Sequence, residues 1–233
     1  MAIKGILFDK DGTLVDFNRT WFAIGDRLAL EAAGGDRDRA DALLRSAGYD
    51  FAKGHFIADS VFAAGTNSDV VALWYPDLAP RLRQEMVVRF DRITAVEGAS
   101  KAVAVPGGVA AIGALHAAGY RLGVATNDST GGAEQTLLML GVAQMFSAAY
   151  GYDAVANPKP APDTVIAFCD LTGLKATEIA MVGDNGHDME MARAAGAGLA
   201  IGVLSGTGTR QTLAHADAIL GSIAELPDFL ATR

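Results

Sequence analysis

Residues 3–14 read IKGILFDKDGTL. The apolar run Ile3, Ile6, Leu7, Phe8 has the length of a short buried strand, and it leads straight into two carboxylates, Asp9 and Asp11, separated by Lys10. If the extended backbone continues past Phe8, residues two apart share a side, so Asp9 and Asp11 point together and Lys10 points away. Gly12 then permits a tight turn with close backbone approach. Thr13 adds a hydroxyl for neighbouring backbone groups. The same Asp-x-Asp-Gly also reads as an ordinary turn. A calcium-binding EF-hand loop does not fit: its twelfth position needs glutamate, and counting from Asp9 that position is Thr20.

The following stretch, 17–97, has a different grammar. WFAIGDRLALEAAG, DRDRADALLRSAG, GHFIADSVFAAG and DLAPRLRQEMVVRFDRITAVEG carry apolar residues at helical spacing, several ending at glycine. No segment here reads as a strand. From about residue 105, helices and strands alternate. PGGVAAIGALHAAG is followed by the strand YRLGVAT, STGGAEQTLLMLG by FSAAYGY, and APDTVIAFCDLTG by EIAMVGD. GHDMEMARAAG then precedes GLAIGV, and DAIL and a last helix near SIAELPDFLA close the chain. Continuous apolar strands alternating with helices predict an α/β fold, a doubly wound parallel sheet with helices on both faces. Its ligands bind at the carboxyl ends of the strands. The expected organisation is an α/β core of residues 1–16 and 99–233, interrupted by a helical insertion, 17–98.

Bulk properties exclude several classes. The chain has 233 residues, 51% of them hydrophobic, and a mean hydropathy of +0.24, which indicates a globular protein and not a disordered one. A formal net charge of −8 argues against sequence-independent binding to nucleic acid or to an anionic membrane. No apolar run reaches membrane-spanning length, and the short first run meets Asp9 too soon for a signal peptide. Cys169 is the only cysteine, so no intramolecular disulfide forms, and a cytoplasmic location is the expectation. The sequence leaves monomer and homodimer undecided.

Three further strand ends carry polar chemistry. GVATND ends in Thr126, Asn127 and Asp128; NPKPAPD sets Lys159 among three prolines; MVGDNGHD holds Asp184 and Asp188. Taken singly, Asn127 and Asp128 read equally as helix caps, Lys159 as a solvated loop residue, and Asp184 and Asp188 as a cap and a first-turn acid. A parallel sheet, however, brings all of them to one edge with Asp9 and Asp11. Several carboxylates in one pocket repel unless a cation neutralises them, and a hard oxygen set with few carboxylates suits Mg²⁺. A carboxylate nucleophile, a hydroxyl and a lysine beside such a cation point to phosphoryl transfer.

In these motifs and their order the sequence resembles the haloacid dehalogenase superfamily. DKDGT matches its first motif, Thr126 the second, Lys159 the third and GDNGHD the fourth. The insertion after the first motif resembles the family's helical cap, as in phosphoglycolate phosphatase-like and phosphomutase-like members. The resemblance implies a phosphatase acting on a small phosphorylated metabolite. Asp9 would be the nucleophile and Asp11 the acid/base. Mg²⁺ would lie on Asp9, the Asp11 carbonyl and Asp184, with Asp188 beside it. Thr126, the Asn127 N–H and Lys159 would hold the phosphoryl oxygens.

Lys10 departs from the apolar residue common in relatives. A carbon-attacking dehalogenase is disfavoured by Asp11, and a cation-pumping ATPase by the lack of a membrane span. A β-phosphoglucomutase-like sugar phosphomutase shares all four motifs, and a non-catalytic phosphate- or partner-binding module is the rival of another class. Substrate contacts are expected from the insertion. Arg19 is the candidate nearest the first linker, with Thr20, Trp21, Arg45, Lys53 and His55 behind it. Trp21 reads first as packing. Phosphoglycolate is the first substrate expected. Hinges are expected near 15–18 and 97–106, the second using Gly98.

Overall fold

The structure, a computed structural model, describes residues 2–232. Its first strand, β1 (Gly5–Phe8), is completely buried and lies at the centre of a six-stranded sheet. The other strands are β4 (Arg121–Ala125), β5 (Phe146–Tyr150), β6 (Ile179–Gly183), β7 (Leu199–Val203) and β8 (Ala218–Leu220), all parallel, in the order β5-β4-β1-β6-β7-β8. Phe8 is in register with Val124 on one side and Val182 on the other. The strand order therefore reverses direction around β1, and such a switch point opens a crevice at the carboxyl ends.

Strand pleating explains why both faces are covered. Ile6 and Phe8 pack with Leu122, Val124, Val182 and Val203 on one face, under α6 (Gly108–Ala117), α7 (Thr130–Met139) and α10 (Leu226–Ala231). Leu7 points oppositely. It packs with Met181, Ala200 and Phe168 under α8 (Asp163–Thr172) and α9 (Gly186–Ala195).

The insertion has its own apolar cluster. Helix α1 (Phe17–Ala32) buries Phe17, Trp21, Ile24 and Leu28, spaced three and four apart. They meet Val87 and Phe90 of α5 (Pro80–Ser100) and Leu44 of α2 (Arg37–Ser46). Two expectations fail here. The stretch around residues 49–60 is not helical: β2 (Tyr49–Asp50) and β3 (His55–Phe56) form a small antiparallel hairpin, followed by one turn, α3 (Val61–Ala64). The cause is local. Asp50 accepts the N–H groups of Ala52 and Lys53 in the turn, and the Tyr49 ring packs against Phe22, Phe51 and Phe56. The expected pattern also missed α4 (Asn67–Trp74), although Thr66 and Asp69 form its capping box.

The two crossings between core and insertion run side by side. Asp16 N–H donates to Val103 O at 2.8 Å, and Val105 N–H to Leu14 O at 3.0 Å. Gly98 is not part of this ribbon. It lies inside α5, where a Cβ would come within 2.9 Å of the Trp21 ring, so it serves packing and not backbone rotation. No helix among the described residues is long and apolar enough to cross a membrane.

Candidate active site

The carboxyl edge of the sheet gathers the motif residues as their order implied. Asp9 follows β1 and its N–H is held by Val182 O at 2.8 Å. Lys159 reaches over from the loop before α8 and bonds both Asp9 Oδ1 and Asp188 Oδ1 at 2.7 Å. Asp184 follows β6. One ligand oxygen from each of Asp9, Asp184 and Asp188 lies within 4.8 Å of the others, all three side chains being buried.

Three buried carboxylates face a single ammonium, so the protein alone leaves excess negative charge. Burial pushes Asp9 up to about 7; Lys159 pulls it down, and Asp188 and Asp11 push it further up. Burial likewise raises Asp184, with Asp9 and Asp188 adding to the shift, and raises Asp188 against the pull of Lys159. For Lys159 burial works against its charge, but Asp188 and Asp9 hold it above the ordinary lysine range. A buried acid cluster that favours protons when no cation is present suits a hard divalent ion.

The turn geometry is exacting at Gly12. Its φ is +82°, and a Cβ there would fall 2.5 Å from Asp184 Oδ2. Asp184 is also gripped from the loop after β7: Thr207 donates its N–H at 2.7 Å and its hydroxyl at 3.2 Å to Oδ2. Ser205 donates to Gly12 O at 2.7 Å, joining that loop to the first motif. Sequence alone does not single out this SGTG loop, 205–208, because its serine and threonine look like an ordinary surface turn.

Asp11 is less buried, and both its oxygens are occupied. Lys10 Nζ lies 2.6 Å from Oδ2, and Trp21 Nε1 donates to Oδ1 at 2.5 Å. Lys10 is thus not turned away, as strict alternation predicted. The chain leaves the strand conformation at the turn, and the flexible lysine stem brings its ammonium back beneath Trp21, 5.0 Å from the ring centre. Lys10 also pairs with Asp128 at 3.1 Å and is itself buried. Burial opposes its charge, but Asp11 and Asp128 hold it well protonated.

Thr126 and Asn127 both line the cleft. The Thr126 hydroxyl accepts from Asp128 N–H at 3.1 Å. The Asn127 side chain donates to Ala64 O at 2.8 Å and Lys159 O at 3.2 Å, which ties the core edge to the insertion. Ser129 caps α7, its hydroxyl accepting from Gly132 N–H. His187, unremarked in the sequence, also lines the cleft, and its Nδ1 has no hydrogen-bond partner.

Arg19 is not brought to the site. It lies exposed on α1, because the helix turns Phe17, Thr20 and Trp21 inward and leaves position 19 on the outer face. Arg45 stacks on Phe51, Lys53 pairs with Asp50, and His55 contacts Phe56 O; none of the three lines the cleft.

A family model for haloacid dehalogenase-like hydrolases matches residues 3–196. The chain is 32% identical over 228 residues to a phosphoglycolate phosphatase of Rhodospirillum rubrum, covering 97% of this chain and 88% of that one. It is 30% identical over 205 residues to a phosphoglycolate phosphatase of Salmonella typhimurium, covering 83% and 79%. The crystal structure of CbbY from Rhodobacter sphaeroides in complex with phosphate shares the fold, with a TM-score of 0.69, 23% identity and 96% of each chain covered. The chain belongs to the haloacid dehalogenase-like hydrolases. Within that family it is a phosphatase acting on phosphate monoesters.

Proposed function

We propose that the reaction runs through an aspartyl-phosphate on Asp9. The observation that carries this is the placement of Asp9 in a buried cluster with Asp184, Asp188 and Lys159, with Asp11 at the same edge. An Asp9 oxygen attacks phosphorus and the ester oxygen leaves, taking a proton from Asp11. Asp11 then accepts a proton from water as that water attacks the phosphoryl group, releasing inorganic phosphate and restoring the Asp9 carboxylate. Thr126, the Asn127 N–H and Lys159 hold the phosphoryl oxygens, where fixed donors in a dry site act most strongly. Since Lys10 and Trp21 occupy both Asp11 oxygens, one of these contacts opens when the leaving oxygen arrives.

The donor set fits Mg²⁺. Asp9, the Asp11 carbonyl and Asp184 would hold it, and Asp188, bound on both oxygens by Lys159 and Asn185 N–H, acts beside it. When bound, the ion neutralises the acid cluster and the phosphoryl charge. Residues 17–98 act as a cap that opens on the ribbon joining residues 14–16 to 103–105.

Phosphoglycolate, the ester in the relatives' names, is the reference substrate. Hydrolysis is favoured over sugar phosphomutation, which needs donors for a second phosphate. Among the described residues lining the cleft, no lysine or arginine comes from the cap. The test is phosphate release from a panel of monoesters with and without Mg²⁺. Turnover abolished by chelator and by Asp184→Ala supports the reading; full activity in excess chelator sinks it.

A further inference from the structure

The wall of the cleft opposite Asp9 is built from the cap, and it is apolar. Trp21, Leu28, Phe62, Val70 and Phe90 line it. The polar side chains on that wall are already engaged within the cap. Asn67 donates to Asp91 at 2.8 Å and to Thr94 at 2.9 Å, and the Thr66 hydroxyl donates to Asp69 at 2.7 Å. Lys159, the only lysine or arginine among the described residues lining the cleft, belongs to the core and is bound by Asp9 and Asp188.

Two helix-interior glycines make room for this wall. At Gly25 in α1 a Cβ would come 2.9 Å from the Phe62 ring, and at Gly98 in α5 it would come 2.9 Å from the Trp21 ring. Glycine inside a helix is less stable than alanine. Here it lets two aromatic rings lie flush against the helices at the mouth of the site. Phe62 is only half-buried and lines the cleft.

Resting on the phosphatase reading, we infer that the substrate's leaving group is uncharged and largely apolar, an aromatic or aliphatic alcohol that lies against Phe62 and Val70. The phosphoryl group has Lys159 and the acid cluster's cation. A second anionic group, such as the carboxylate of phosphoglycolate, would be desolvated against hydrocarbon and beside Asp11 without a cap cation. A ring or alkyl chain gains by leaving water there. His187, on the core side, lines the cleft with its Nδ1 free of partners and supplies a hydrogen-bonding group for a hydroxyl or carbonyl of the same alcohol.

The experiment compares kcat/KM with Mg²⁺ for benzyl phosphate, butyl phosphate and 2-phosphoglycolate, read as inorganic phosphate released. Benzyl or butyl phosphate is expected to exceed 2-phosphoglycolate by at least about tenfold. Val70→Arg, and separately Phe62→Arg, should shift that ratio toward 2-phosphoglycolate by about tenfold or more; the two residues lie on different elements, so a variant that fails to fold leaves the other to decide. Equal or better use of 2-phosphoglycolate by the unmodified protein overturns the inference and leaves the phosphatase reading standing. A preference for it that His187→Gln removes would overturn the inference in the same way, and would identify the carboxylate's partner. No Mg²⁺-dependent turnover of any ester would overturn both.

Discussion

The carboxyl edge of the sheet and the inner wall of the cap face each other across one cleft, yet they are built from different materials. The edge crowds Asp9, Asp11, Asp128, Asp184 and Asp188 around two buried lysines. The wall presents rings and aliphatic chains whose few polar neighbours bond one another. Charge at the edge is held by backbone turns and short fixed bonds, so its geometry is set before substrate arrives. The cap wall offers shape and an apolar surface. On the proposed reading chemistry belongs to the first and selectivity to the second, and substitutions on each side should then fail in different ways.

Asp9→Asn should give the largest effect. The amide keeps the shape and the contact with Lys159 but cannot attack phosphorus. Turnover should fall by at least about 10³-fold on every ester, apolar or charged. Because the change removes one of three crowded carboxylates, the metal-free variant should melt higher than the parent at pH 8. Residual activity above a few per cent in a clean preparation, or a lowered melting temperature, would break the assignment of Asp9 to the edge chemistry.

Next is Lys10→Met. The variant leaves Asp11 and Asp128 buried without their shared ammonium, a change that typically costs about 3–5 kcal/mol. It also leaves Asp11 held by Trp21 alone. A fall in kcat of about 10–100-fold with KM little changed is expected, since Phe62 and Val70 are untouched. Adding Asp128→Asn should recover part of the lost stability and little of the kcat. Unchanged kcat would show that Lys10 only neutralises the edge and does not hold Asp11.

The edge was far more legible in the sequence than the wall. Asp9, Thr126 and Asp184 each directly follow a strand, and parallel strands deliver their ends to one place whatever the loops do. Those three needed only that rule to be brought together; Lys159, in the loop before α8, and Asp188, inside α9, needed the motif order as well. The wall depends on which face of α1 turns inward and on a hairpin at 49–56 whose second strand, His55–Phe56, lies where the helix 54–65 was expected. A difference of two positions separates exposed Arg19 from buried Trp21, and helical periodicity over a mostly apolar segment did not resolve it. Lys10 failed for a third reason: alternation fixes where a Cβ points, not where a four-carbon stem carries its charge. The SGTG loop could have been found only from its closeness to Asp184, which no spacing encodes.

A smaller effect concerns pH and isolates the edge alone. Asp9, Asp184 and Asp188 are raised in the metal-free fold above their unfolded values near 4, Asp9 to about 7. The folded state therefore binds more protons than the unfolded one across that interval. The stability from these groups is fully present below about pH 4 and is lost as pH rises through the folded values, on the order of a few kcal/mol in all. On the proposed reading Mg²⁺ would replace the protons. The rise in melting temperature on adding Mg²⁺ should thus be small at pH 5 and larger at pH 8. An equal rise at both values would mean that the cluster does not take up protons when metal-free.

The smallest expected effect lies where edge and wall meet. Tyr152, after β5, donates its hydroxyl to Asp91 Oδ2 of α5 at 2.6 Å, and Asp91 Oδ1 accepts from Asn67 of the wall. Burial and Asp91 hold the phenol well above its ordinary range, so it stays a donor at any working pH. Tyr152→Phe removes this tie without touching a cleft residue. A hydrogen bond to a charged group contributes about 1.5–3 kcal/mol, less where water can replace the lost donor, as it can at this half-buried site. The loss should favour the open cap. If the cap must close for chemistry, kcat/KM falls by about two- to tenfold, equally for apolar and charged esters, because the wall and the edge are both intact. A change in the ratio between benzyl phosphate and 2-phosphoglycolate would show instead that Tyr152 acts through Asp91 and Asn67 on the shape of the wall. An unchanged kcat/KM for every ester would place the Tyr152–Asp91 bond outside the closing contact and leave Asn127 to Ala64 O as the tie to test.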